Sequence, residues 1–435
     1  MSSAGAQFSP ALAAYRGAMT ALGPLAPLYF KDRARKGKED AARLPERFGR
    51  AYAERPSGPL VWLHAASVGE SGVAAQLIEA LAARYPSLRF LVSTGTRTSA
   101  DLMQRRALPN TQHVYAPLDR EDVVRRFLAH WQPSLGVFIE SELWPNLILA
   151  AEANETPLAL VNARMSASTL NRWRRWKMAA QRLLRPFSVL LAADAGTATG
   201  LSELAGRPVA NVGNLKLASA PPRLDANALQ TLRAMIGARP VWLAASTHPG
   251  EDEILLDAHE RVRAAAPDAL LIIAPRHPER GEAVAALADG APRRSFGQDI
   301  GDASVYVADT MGELALMYAA VPVAFVAGSL LTQYRGHNPV EAAHGDAAIV
   351  SGLHVDSFAD LFEALGAANA YDVADDSGAI AEIVLQLMRD DDLRDARIGA
   401  AKQVIAHGAD ALAQTLAALE PLIATQLTEP RYATA

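Results

Sequence analysis

Pro59-Leu60-Val61-Trp62-Leu63-His64-Ala65-Ala66-Ser67 is an apolar run that stops on a serine, and Pro240-Val241-Trp242-Leu243-Ala244-Ala245-Ser246 echoes it one residue shorter. Each run is followed by an amphipathic stretch and then another short apolar run. That alternation is the mark of βα units feeding a parallel sheet. Working outward from the first run, strands are expected near 61–66, 89–93, 113–116, 135–139, 158–162 and 189–192. From the second they are expected near 241–245, 270–274, 305–308, 323–327 and 347–350. Ser219, Pro221 and Pro222 interrupt any regular element, so the boundary and a plausible hinge fall at 218–223. The reading is an α/β chain of two Rossmann-like domains, 49–217 and 224–410. A segment 1–48 precedes them and a C-terminal helix and tail, 411–435, follows.

The 435-residue length also calls for two cores. Half the residues are apolar, 20% are charged and the net charge is −5, so nothing draws the whole chain to nucleic acid. The absence of cysteine excludes disulfides, thiolate metal sites and a cysteine nucleophile. Phe8 to Phe30 is fairly apolar and runs into Lys31, Arg33, Arg35, Lys36 and Lys38. Pro10, Arg16, Pro24 and Pro27 keep it short of the roughly 20 uninterrupted apolar residues of a spanning helix. It reads either as an interfacial segment or as a helix packed on its own domain. The stretch from Arg164 to Arg185 carries Arg172, Arg174, Arg175, Lys177 and Arg182 with no acid among them, interleaved with Trp173, Trp176, Met178, Leu183 and Leu184. It reads as a basic amphipathic helix suited to an anionic membrane surface, against the alternative of a solvated face over core tryptophans.

No Gly-x-Gly-x-x-Gly turn or P-loop is present. Glu251-Asp252-Glu253 and Asp390-Asp391-Asp392 begin helices, where carboxylates complement the dipole, and no metal is expected. Glu70, in Ser67-Val68-Gly69-Glu70-Ser71, falls at a strand end and a helix start. There it suits a general base kept ionised by local N–H groups, or a plain helix cap. Glu140, in Phe138-Ile139-Glu140-Ser141-Glu142, is a second carboxylate at a strand end. In the second half, Ser246 to Glu251 and Arg276-His277 stand at strand ends where amides, hydroxyls and a guanidinium suit a phosphate. Met311-Gly312-Glu313 follows another strand. In Gly336-His337-Asn338-Pro339-Val340-Glu341, the carboxylate of Glu341 suits the two hydroxyls of a ribose.

Taken in order, Arg43–Arg50, His64–Glu70, Tyr115–Asp119, Glu140–Asn146, Asn162–Ser166, Gly213–Lys216, Ala244–Glu253, Pro275–Arg280, Asp309–Leu314 and Gly336–Glu341 resemble the 3-deoxy-D-manno-octulosonic acid (Kdo) transferases of lipopolysaccharide assembly. The resemblance implies a GT-B glycosyltransferase, two Rossmann-like domains facing a central cleft. It also implies metal-independent, inverting transfer of Kdo from CMP-Kdo to a lipid A precursor at the cytoplasmic face of the bacterial inner membrane, with no cofactor and peripheral attachment. Glu70 then matches the catalytic base, and Glu140 an acidic position near the acceptor. Arg276, Met311, Gly312, Asn338 and Glu341 match the CMP pocket, and Ser246, His277 and Glu313 are assigned to donor binding with them. Arg172, Arg174, Arg175 and Lys177 are assigned to the acceptor side. The chain departs from the family at Arg335, where a second glycine is common, and over 345–358. Alternatives are a GT-B transferase with another nucleotide-sugar donor and an inactive sugar-nucleotide binding protein.

Overall fold

The computed structural model describes residues 9–140, 142–218, 222 and 224–428. They form two compact units, one from Met1–Ala218 with Gly408–Ala435 and the other from Ser219–His407. In the first, strands β1 (Leu60–Ala65), β2 (Arg89–Thr94), β3 (Thr111–Tyr115), β4 (Leu135–Ile139), β5 (Leu158–Ala163), β6 (Phe187–Ala192) and β7 (Ala210–Asn211) make a parallel sheet in the order β3-β2-β1-β4-β5-β6-β7. In the second, β8 (Val241–Thr247), β9 (Leu270–Pro275), β10 (Val305–Val307), β11 (Val323–Val326), β12 (Ala348–Ser351) and β13 (Tyr371–Val373) are parallel in the order β10-β9-β8-β11-β12-β13.

The continuous apolar runs follow from burial on both faces of a parallel sheet. Every residue of β1 is buried. Leu60 and Trp62 enter one core cluster with Phe138, Leu158 and Leu160, while Val61, Leu63 and Ala65 enter another with Val137, Ile139, Ala159 and Val161. The period of two thus serves both layers, and each fully buried Leu, Ile or Val contributes roughly 1.5–3 kcal/mol.

Two segments differ from the sequence reading, and a third, near the N-terminus, combines its two alternatives. Residues 411–428 are not a helix of their own but part of the helix Asp391–Thr428, whose Ala411, Leu419 and Ile423 join the Val61 core cluster and whose Glu420 pairs with Arg84 at 2.7 Å; residues 429–435 lie outside the described residues. At Gly408 a Cβ would lie 2.2 Å from the carbonyl carbon of Leu217, so only glycine allows this approach. Near the N-terminus, helices Pro10–Leu22 and Ala26–Arg35 have two characters. Leu12 packs on Ala179 and Leu183, and the Tyr15 hydroxyl donates to Asp119 at 2.8 Å, while Leu22, Leu25, Leu28 and Tyr29 are exposed. Phe8 lies outside the described residues. No helix among the described residues is long and apolar enough to cross a membrane. Finally, the basic stretch is two helices, Ala167–Arg175 and Lys177–Leu184, because Trp176 leaves helical geometry at φ −114°, ψ 40°.

Candidate functional site

In the first unit β1 and β4 are neighbours whose chains continue to opposite flanks of the sheet, the switch point at which ligand crevices open in such folds. Ser67 caps the helix Val68–Arg84 that follows β1. Its Oγ accepts the Glu70 N–H at 3.3 Å and donates to Glu70 Oε1 at 2.8 Å, and the Ala66 N–H donates to Oε2 at 2.7 Å. The capping and base readings are therefore compatible, since the cap fixes the carboxyl in place. Glu70 is 5% exposed. Burial first, then the carboxylate of Glu142, push its pKa up. The bonds from Ser67 and Ala66 oppose this, Glu140 adds to it, and the result is about 7. The expectation of full ionisation at neutral pH is corrected accordingly, because desolvation outweighs the two hydrogen bonds.

Glu140 ends β4 in the left-handed region, at φ 61°, and its carboxylate pairs with Lys216 Nζ at 2.7 Å. Lys216 also lies over Gly69, with Nζ 3.5 Å from where a Cβ would stand. The loop carrying Lys216 is held by Asn162, whose Oδ1 accepts the Leu215 N–H at 2.8 Å. Glu142 accepts the indole N–H of Trp144, and burial raises its pKa. Asp119 fixes the helix Pro145–Ala153 by accepting the N–H groups of Asn146 at 3.1 Å and Leu147 at 2.8 Å. Sequence reasoning did not single out Lys216 or Asp119 as site residues, although both lie in the motif stretches 213–216 and 115–119.

Arg172, Arg175 and Lys177 are exposed, as are Trp176 and Met178, whereas Trp173 packs against the core. Arg174 pairs with Glu203 at 2.9 Å and Arg182 bonds Glu152. Neighbouring elements thus supply the acids that the stretch itself lacks.

In the second unit the ends of β8, β9 and β10 line a pocket of about 290 Å³ that brings together Ser246, Arg276, Met311, Gly312, Glu313 and Glu341. Ser246 takes φ 60° where the pairing of β8 with β9 shifts register, a bulge that re-aims the residue at the strand end. Gly312 sits at φ 81°, a conformation that favours glycine. The Arg276 guanidinium is exposed and has no hydrogen bond or ion pair among the described residues. Burial raises the pKa of Glu341, opposed by His344 and Arg276. Glu313 is engaged by Arg294 at 2.7 Å and by the Thr310 hydroxyl. His277 and Asn338 do not line the pocket. His277 is exposed beside Glu279, and Asn338 Oδ1 accepts the Val340 N–H at 3.1 Å.

Of the acidic residues at 251–253, Glu251 and Asp252 are more than dipole partners, while Glu253 is exposed. Glu251 is fully buried and accepts the N–H groups of His248, Gly328, Ser329 and Leu330 at 2.8–3.1 Å, and buried Asp252 pairs with Arg280. No group of metal-ligating side chains occurs among the described residues. Arg335 takes φ 61°, which explains why a glycine suits that position.

The family model described as 3-deoxy-D-manno-octulosonic-acid transferase (kdotransferase) matches residues 42–219. The chain is similar to a 3-deoxy-D-manno-octulosonic acid transferase of Bordetella pertussis, with 35% identity over 424 residues, 93% of this chain and 98% of the relative. It is also similar to one of Haemophilus influenzae, with 33% identity over 394 residues, 88% and 91% of the two chains. Among solved structures, a UDP-N-acetylglucosamine 2-epimerase from Listeria monocytogenes superposes with a TM-score of 0.50 at 12% identity, covering 85% of this chain and 97% of that one. That likeness concerns the fold, which is of the GT-B type.

Proposed function

The chain belongs to the 3-deoxy-D-manno-octulosonic acid transferase family of glycosyltransferases, and from that premise we propose that it moves Kdo from CMP-Kdo to a lipid A precursor with inversion at the anomeric carbon. The observation that carries this reading is Glu70, a buried carboxyl fixed by two hydrogen bonds with its pKa near 7. A base titrating near the working pH combines an available lone pair with useful proton affinity. Glu70 takes the proton of the acceptor hydroxyl as the hydroxyl oxygen bonds to the anomeric carbon. The bond from that carbon to the CMP oxygen breaks on the opposite face, and its electron pair leaves with the phosphate.

Arg276 meets the negative charge that grows on the departing phosphate, and Glu341 accepts the ribose hydroxyls. Glu140, held by Lys216, lies on the acceptor side. Peripheral attachment to the cytoplasmic face of the bacterial inner membrane is supported by exposed Trp176 and Met178 beside Arg172, Arg175 and Lys177, and by exposed Leu22, Leu25, Leu28 and Tyr29. Incubation with CMP-Kdo and a lipid A precursor, followed by mass measurement of the lipid, tests the reading: the lipid gains Kdo. A lipid left unchanged while another nucleotide sugar is consumed contradicts it.

A further inference from the structure

The second unit holds a histidine cluster in which His248 and His337 have none of the roles above. His248 Nε2 and His337 Nε2 are 2.8 Å apart. Tyr334 stacks on the His248 ring at a centroid distance of 4.0 Å and 11°, and the edge of His277 approaches at 6.0 Å. His337 lies over Gly328, where a Cβ would come within 2.6 Å of its Cδ2. One buried carboxylate ties both supporting loops, since Glu251 binds the amides of His248 and Gly328.

Burial, reinforced for His248 by His277, Arg280 and Arg276 and for His337 by His248, Arg276 and His277, lowers both pKa values to about 4. The pair is therefore neutral at pH 7, with one Nε2–H donating to the other ring's lone pair. A metal ion does not fit between two nitrogens this close, since ligands at about 2.0 Å in tetrahedral array stand more than 3 Å apart. Of the acids on the supporting elements, Glu251 is engaged by four amides and Asp252 by Arg280. Arg276 is the nearby cation without a partner among the described residues, and it acts electrostatically both on this pair and on Glu341. An anionic group is the ligand chemistry that such a place selects.

These groups then have a counterpart in the donor. Arg276 acts electrostatically on Glu341 and on the histidine pair alike, and in a nucleotide-linked ketose acid the phosphate likewise stands between the ribose and a sugar whose anomeric carbon carries the carboxyl. We propose that His248 and His337 form the subsite that binds the carboxylate of the donor's sugar acid, so that the pair distinguishes the intact donor from the nucleotide alone. This rests on the donor reading given under Proposed function.

The test compares KM for CMP-Kdo with the inhibition constant of CMP in His248→Gln and His337→Gln. Loss of a hydrogen bond to a charged group should raise KM roughly tenfold or more. CMP, which lacks the carboxylate, should inhibit each variant within about twofold of wild type, and that also reports an intact pocket. KM and the CMP constant rising together would show that the pair only shapes the pocket, and an unchanged KM would remove it from recognition; either overturns the proposal. A wild-type protein that binds neither CMP nor CMP-Kdo overturns the donor reading itself, a result distinct from wild type and variants using CMP-Kdo equally well.

Discussion

At the scale of single residues, the decisive contest is between desolvation and hydrogen bonding at Glu70. Because its folded pKa of about 7 lies above the ordinary 4.5, the group stabilises the fold fully only below about pH 4.5, and that contribution is lost as pH rises through 7. Glu70→Gln carries no charge to desolvate, so it should gain stability relative to wild type between pH 5 and pH 8, by up to roughly 3 kcal/mol. Thermal unfolding at the two pH values checks this; an equal difference at both would mean that Glu70 does not titrate in the window. Lys216→Met strips the cation from Glu140 and leaves a second uncompensated carboxylate near Glu70. The pH–rate midpoint should then move to higher pH, and an unmoved midpoint would show that Lys216 only fills space beside Gly69. The motif around Glu70 was legible in the sequence, but its ionisation was not. The signs of its neighbours are written in the chain, whereas the depth of burial depends on the packing of β1 against β4.

At the scale of elements, Glu251 organises two loops through four amide bonds. Glu251→Gln turns an amide NH₂ toward donors and leaves some buried N–H groups unmet, a loss of about 2–4 kcal/mol. Denaturant unfolding should show it, and unchanged stability would mean that the loops hold without Glu251. A helix-start acidic run looks the same in sequence whether its carboxylates face solvent or, as here, the interior. The basic helices were similarly half legible. Charge and aromatic spacing pointed to a surface, but the break at Trp176 and the pairing of Arg174 with Glu203 depend on neighbours distant in sequence. Replacing Arg172, Arg175 and Lys177 with Gln, at about 1 kcal/mol each on an anionic surface, should weaken sedimentation with anionic liposomes of order 100-fold at low salt and leave CMP inhibition unchanged. Equal liposome binding by mutant and wild type would remove these residues from membrane attachment.

At the scale of the whole molecule, the apolar runs made the strands of both sheets readable, because a parallel sheet buries both faces and leaves little choice of period. The strands β7 and β13, two and three residues long, lie at sheet edges and carry no such run. The return of the helix beyond Gly408 to the first unit was also invisible, since its contacts with Leu217 and Glu420's partner Arg84 are long-range. Sugar transfer by this enzyme is assigned to a carboxyl poised at neutral pH. The most direct measurement is turnover of CMP-Kdo with a lipid A precursor as a function of pH, in wild type and in Glu70→Gln. The wild-type rate should climb about tenfold per pH unit below a midpoint near 7 and level off above it, while the variant is slower by about 10²- to 10⁴-fold with no such midpoint. A variant with near-normal turnover, or one that keeps the wild-type midpoint, would contradict the assignment of Glu70 as the base.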